Sequence, residues 1–202
     1  RYRSQAPLQD SCVIQLSLQI FLVTMQPAYF LAVLAIYCTS MGMSKMTCPT
    51  TPASVACGMR ITTTANAPCD IVLAEMKARV SGQYDKWHDP HNNGTYAEQD
   101  YGGSYSTSRV TGNGKYTDKE IFTLTSNGSS CLIEACSRSQ VFSISDFGTN
   151  YCDLKMLYCG TADGCKPVLH DFTVGKETTE KFSQSTVDLS ACLKDSISLV
   201  VV

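Results

Sequence analysis

Eleven cysteines in 202 residues constrain this chain more than any other feature. A reducing compartment rarely holds so many unless they bind metal. No two of them are spaced C-x-x-C, so the zinc-knuckle and thioredoxin-type spacings are both absent. A disulfide framework is the reading that remains. Nine of the cysteines follow residue 45, an odd number, so one is expected to be free or paired between chains. If Cys48 is that one, Cys57, Cys69, Cys131, Cys136, Cys152, Cys159, Cys165 and Cys192 form four bridges. Eight cysteines allow 105 connectivities, and spacing does not choose among them. One local rule does apply. Cys131 and Cys136 are an odd number of residues apart, so on one strand they face opposite ways and take different partners.

Charge narrows the function classes. Sixteen basic and eighteen acidic side chains give a net charge of −2, with no polybasic run, so nucleic-acid binding has no electrostatic footprint. Residues 12–38 contain no charged side chain, and about twenty such residues can span a bilayer. Read from Met25, "MQPAYFLAVLAIYCTSMG" instead resembles a signal peptide, with small residues Ser40 and Gly42 near a cleavage point. Residues 1–42 are therefore expected to be a signal peptide or an N-terminal hydrophobic helix that anchors the chain. Either places residues 45–202 outside the cytoplasm, secreted or membrane-tethered.

Residues 43–70 read as an irregular, cysteine-containing lead-in, and 71–202 as a β-rich, disulfide-stabilised domain. In 71–84, Val72, Ala74, Met76, Ala78 and Val80 alternate with polar residues, the period of a half-buried strand. Further short runs lie near 95–99, 104–111, 119–126, 131–136, 140–145 and 167–174. Asn-Gly steps at 93–94, 113–114 and 127–128 suit hairpin turns. Segment 149–159 fits either a strand or a helical turn. Short strands joined by such turns predict a mainly β fold, an antiparallel β-sandwich or barrel.

The stretch "KWHDPHNNGTY" (86–96) holds two of the three histidines. His88 and His91 are three residues apart, a spacing that converges on a helix, but Pro90 between them opposes a helix there. A loop metal site with Asp85 or Asp89 is the minority reading; it would make the protein a metal-dependent hydrolase. The better account is a turn carrying the sequon Asn93-Gly94-Thr95. With Asn127-Gly128-Ser129 it makes two N-glycan acceptors, Asn93 and Asn127, suited to a secreted chain. No nucleophile motif or phosphate loop is present, and His170 beside Asp171 faces the opposite way on an extended segment. No catalytic residue and no cofactor are therefore assigned. Tyr84, Trp87, Tyr96, Tyr101, Tyr105 and Tyr116 crowd the first half of the domain, as core aromatics or as the lining of a glycan or ligand platform.

Two short stretches resemble lipocalins: "SGQYDKWHDP" (81–90), similar to the Gly-x-Trp entry of the first barrel strand, and "DFGTNYCDL" (146–154), similar to the Thr-Asp-Tyr element. That resemblance implies an eight-stranded barrel holding a small hydrophobic ligand. The block from 75 to 170, with "DPHNNGTY", "GKYTDK" and "TNYCDLKMLYCG", resembles a group of uncharacterised secreted cysteine-rich proteins of unicellular algae, which implies placement outside the cytoplasm and no activity. The expected role is a non-enzymatic extracytoplasmic binding domain for a protein or glycan partner, or a subunit of a larger assembly. The alternatives are the lipocalin-like carrier and the hydrolase.

Overall fold

In the computed structural model, residues 46–194 apart from Tyr84 are described. The hydrophobic segment 12–38, with Cys12 and Cys38, lies outside them. Among the described residues no helix is long and apolar enough to cross a membrane.

Six antiparallel strands form one sheet in the order β2-β3-β4-β5-β1-β6. They are β1 (Gly58–Ala65), β2 (Thr95–Gln99), β3 (Tyr105–Val110), β4 (Thr117–Asn127), β5 (Ser130–Ser139) and β6 (Thr178–Lys181). The helices are α1 (Cys69–Ser81), α2 (Thr149–Tyr158) and the short α3 (Leu189–Cys192). The fold is thus mainly antiparallel β, as expected. The described residues, however, form a single sheet with two edge strands, β2 and β6, covered by helices where a sandwich would have a second sheet.

β2 to β5 run as a meander, while β1 inserts beside β5 and sends α1 across the sheet to reach β2. Two of the expected turns are hairpins. Asn127 pairs with Ser130 across Gly128, which sits at φ 62°. Between β3 and β4, Asn113 Oδ1 accepts from the Lys115 N–H at 3.0 Å and Gly114 takes φ 69°. The third Asn-Gly step is different. Asn92 and Asn93 are themselves left-handed, at φ 55° and 48°, in a 3-10 turn, and Gly94 is extended. Glycine is needed at 94 for space, because a Cβ there would overlap the Arg109 guanidinium.

Segment 71–84 is not a strand. Val72, Glu75, Met76, Arg79 and Val80 are buried, the i, i+3, i+4, i+7, i+8 stripe of a helix. The stripe was hidden because two of its five positions are charged. Glu75 and Arg79 form an i,i+4 ion pair at 2.7 Å with no exposure on either side chain. Arg79 also donates to the carbonyls of Met156 and Cys159, both at 2.6 Å, tying α1 to the end of α2. Glu75 accepts from the N–H groups of Val168, Leu169 and His170 at 2.7–2.8 Å, which pins segment 167–174 as a loop instead of a strand. Burial alone would push the Glu75 carboxyl up, but these donors and Arg79 hold it below the usual carboxylate range. Segment 140–145 is a loop as well, and β1 runs through what composition suggested was an irregular lead-in.

Strand alternation sorts the core. Met59, Ile61 and Ala65 of β1, Phe122 of β4, and Ile133 and Ala135 of β5 face α1 and α2, where they meet Val72, Met76, Leu154 and Leu157. Trp87, Tyr96 and Tyr105 are buried in the same cluster, so three of the six aromatics are core. The opposite face is covered near β5 by Met46 and Phe182 around Cys136. Of the lipocalin-like stretches, residues 81–90 close α1 and enter the following turns, and 146–154 begin α2.

Four disulfides join Cys48 to Cys136, Cys69 to Cys131, Cys152 to Cys192 and Cys159 to Cys165. Cys131 faces the helices and Cys136 the outer surface, as their odd spacing requires. The expected free cysteine is corrected: Cys48 is bridged, and Cys57 is the buried free thiol. Cys57 precedes β1, where its N–H donates to Ser143 Oγ at 2.8 Å, while Cys48 lies over the outward face of β5 within reach of Cys136. A native bridge typically contributes about 2–4 kcal/mol, and four of them fit an oxidising compartment.

Candidate functional site

One end of the helix-covered sheet face is polar. Alternation places Arg109 of β3, Asp118 and Glu120 of β4, and Ser137 and Ser139 of β5 side by side. Arg109 is fully buried and organises this end. Its Nε donates to Asp89 Oδ2 at 2.7 Å, its Nη1 lies 3.1 Å from Asp153 Oδ1, and its Nη2 donates to the His91 carbonyl. It therefore fixes the Asp89–Asn93 turn against the sheet.

Four buried carboxyl groups share this single guanidinium's field. Burial holds Glu120 well above the usual carboxylate range, with Asp153 adding to the rise and Thr107 Oγ1 opposing it. Asp153 is likewise held well above that range by burial, against the pull of Arg109. Asp118 is raised by burial too, with the Ser139 hydroxyl, which donates to its Oδ1, pulling the other way. Asp118 Oδ2 and Glu120 Oε1 have no hydrogen-bond partner.

Above this polar end opens a cleft of about 710 Å³. The 91–93 turn forms one wall and the β3–β4 hairpin another, with Asn113 and Tyr116 facing in. Asp118 and Ser139 lie toward the floor, and residues 143–149 close the far side. That last segment is rigid for a loop. Asp146 accepts through its carboxylate from Gly148 N, Asn150 N, Asn150 Nδ2 and Ser185 Oγ, which fastens the start of α2. Phe147, between these bonds, is held at φ 52° and is 81% exposed. A bulky residue costs roughly 1–2 kcal/mol in that conformation, and its ring stays in solvent at the cleft's edge.

Of the seven large hydrophobic side chains exposed among the described residues, Tyr116 and Phe147 line this cleft. Exposed aromatic rings beside a polar cleft are a feature of binding surfaces.

His91 lines this cleft, and its chemistry is set by its partners. Nδ1 lies 3.1 Å from the Ala191 carbonyl, which can only accept, so Nδ1 carries the proton. Nε2 is 3.3 Å from Thr149 Oγ1, which also reaches the Asp146 carbonyl at 2.7 Å. Burial lowers the His91 pKa, with the Ala191 bond opposing.

The expected sites sort unevenly. His88 lines a different cleft of about 410 Å³, beside Trp87 and Lys166, so the two histidines are not brought together. Among the described residues no group of three or more His, Cys, Asp or Glu side chains is placed to hold a metal ion. Asp89 is spent on Arg109. Asp171 accepts from Thr161 N at 2.9 Å and from its hydroxyl, a local turn bond. Asn93 and Asn127 are both exposed, Asn127 at a hairpin tip and Asn93 on the wall of the larger cleft. Asp118, Ser139, Asp146 and Phe147 were not anticipated. One sequence signal existed: β4 places Asp118 and Glu120 on the same face as Phe122.

The class these features define is a disulfide-bridged, helix-backed antiparallel sheet with a polar cleft edged by Tyr116 and Phe147. No protein-family model, no curated protein and no solved structure matches the chain.

Proposed function

We propose that this protein is an extracytoplasmic binding domain, secreted or tethered through residues 12–38, and that the 710 Å³ cleft is its recognition site. The carrying observation is Phe147, an aromatic ring held exposed in a strained conformation at the edge of a polar cleft. Four disulfides and two exposed sequons support placement along the secretory route, as does the resemblance to secreted algal proteins. The polar walls favour a glycan or protein partner over a small hydrophobic ligand. His88 and His91 line different clefts, so they lend the hydrolase reading no support.

The test is binding of the full chain, secreted from a eukaryotic host and fluorescently labelled, to the surface of cells of its own organism. Saturable binding that Phe147→Gly weakens is expected. Absence of saturable binding, or binding that Phe147→Gly and Tyr116→Ala leave unchanged, would overturn the proposal.

A further inference from the structure

We infer that the ligand of this cleft is a saccharide, a conclusion that rests on the cleft being the recognition site. The groups accessible on its walls are neutral and both donate and accept: Asn92, Asn93, Asn113 and Ser145. Sugar hydroxyls need that dual capacity, since each donates one hydrogen bond and accepts others.

Charge argues against the other small-ligand classes. Among the described residues, none lining the cleft is Lys or Arg, so a phosphate or carboxylate ligand finds no cation. Its two carboxylates offer little to an ammonium group. Asp146 is occupied by four donors, and Asp118 is 1% exposed at the floor. Asp118 Oδ2, buried and without a partner, suits a neutral donor such as a hydroxyl or a water beneath it. Phe147 and Tyr116, 81% and 46% exposed, supply flat apolar faces against which the C–H face of a pyranose ring packs.

Asn93 gives the idea a second footing. The acceptor of the sequon Asn93-Gly94-Thr95 lies on the cleft wall and is exposed, so an N-glycan attached there begins at the cleft mouth. The saccharide therefore has two sources, the protein's own glycan or a glycan on another molecule.

Saturation-transfer NMR on the full, secreted chain tests the inference. The probes are N,N′-diacetylchitobiose, cellobiose and α1,2-mannobiose at millimolar concentration, with wild type, Thr95→Val and Phe147→Gly proteins of native near-UV dichroism. Thr95→Val removes the sequon while leaving Asn93 in place, and glycine at 147 keeps the left-handed conformation without adding a sequon before Thr149. Transfer to sugar C–H protons in wild type, weakened about tenfold in affinity by Phe147→Gly, supports an external glycan; the figure corresponds to one aromatic contact of about 1.4 kcal/mol. Transfer seen only with Thr95→Val, together with a glycan mass on wild-type Asn93, supports occupancy by the protein's own glycan. No transfer from any probe to either protein overturns the inference. If cell-surface binding still depends on Phe147 and is abolished by protease but not by the probes or by glycosidase, the recognition site stands and its saccharide assignment falls.

Discussion

Replacing Arg109 with Met removes the one buried cation beneath the cleft while keeping most of its volume. The side chain has no solvent exposure and holds Asp89 at 2.7 Å, Asp153 at 3.1 Å and the His91 carbonyl. Loss of one member of a buried ion pair costs about 3–5 kcal/mol, because the partner carboxylate is left uncompensated. For a chain of this size each kcal/mol lowers Tm by roughly 2–4 °C, so a fall of about 6–20 °C is expected. The deficit should also depend on pH in a defined direction. Asp153 already sits above the usual carboxylate range through burial, and Arg109 is the main influence pulling it down. Without Arg109 its folded-state pKa rises further above the unfolded value. The folded variant then binds a proton more readily than the unfolded chain, so its deficit narrows as pH falls through that raised pKa. Denaturant unfolding with disulfides intact, at neutral and mildly acidic pH, measures both effects. Adding Asp89→Asn to Arg109→Met should recover part of the loss. A deficit below about 1 kcal/mol, or one that widens on acidification, would refute the pairing described.

Other substitutions separate the remaining physical claims. Glu75→Gln should cost about 3–5 kcal/mol at neutral pH, since Arg79 stays buried beside it. The folded Glu75 pKa is depressed, so its contribution is present above the unfolded value and lost as pH falls through the folded one. The variant's acid unfolding limb should therefore be shallower than wild type, and an unchanged limb would count against the pair. Phe147→Gly should raise stability by about 1 kcal/mol, because glycine takes the left-handed conformation without steric cost, while weakening ligand binding; a loss of stability would show that Phe147 is packed, not displayed. Gly94→Ala should destabilise by roughly 1–3 kcal/mol through overlap with Arg109, although its φ of −72° is open to alanine. Peptide mapping after iodoacetamide should find Cys57 labelled only once the protein is unfolded, and Cys48 labelled only after reduction.

Much of the sheet was readable because strand signals are local. Asn113-Gly114 and Asn127-Gly128 lie in real hairpin turns, and the odd spacing of Cys131 and Cys136 correctly sent them to opposite faces. The failures have physical causes. A buried Glu75–Arg79 pair put charges into the apolar stripe of α1, and the remaining Val and Met residues imitated a strand. Asn93-Gly94 read as a hairpin tip because the demand for glycine there comes from Arg109, fifteen positions along the chain. Nothing near Cys48 or Cys57 distinguishes a bridged cysteine from a free one; only the folded-back path of residues 46–50 over β5 decides it. The cleft is assembled from three separate segments. His91, Asn93 and Tyr116 each stand out singly in the sequence, but Asp118 and Phe147 become significant only when the hairpin and the start of α2 face each other.

Hydrogen–deuterium exchange of the full, secreted chain, with and without a bound cell-surface glycan fraction from its own organism, tests the cleft as a saccharide site most directly. Slowed exchange is expected in 91–95, 111–118 and 143–150, and should disappear in Phe147→Gly. Protection centred instead on the smaller cleft around Trp87, His88 and Lys166, or no protection in either protein, would contradict it.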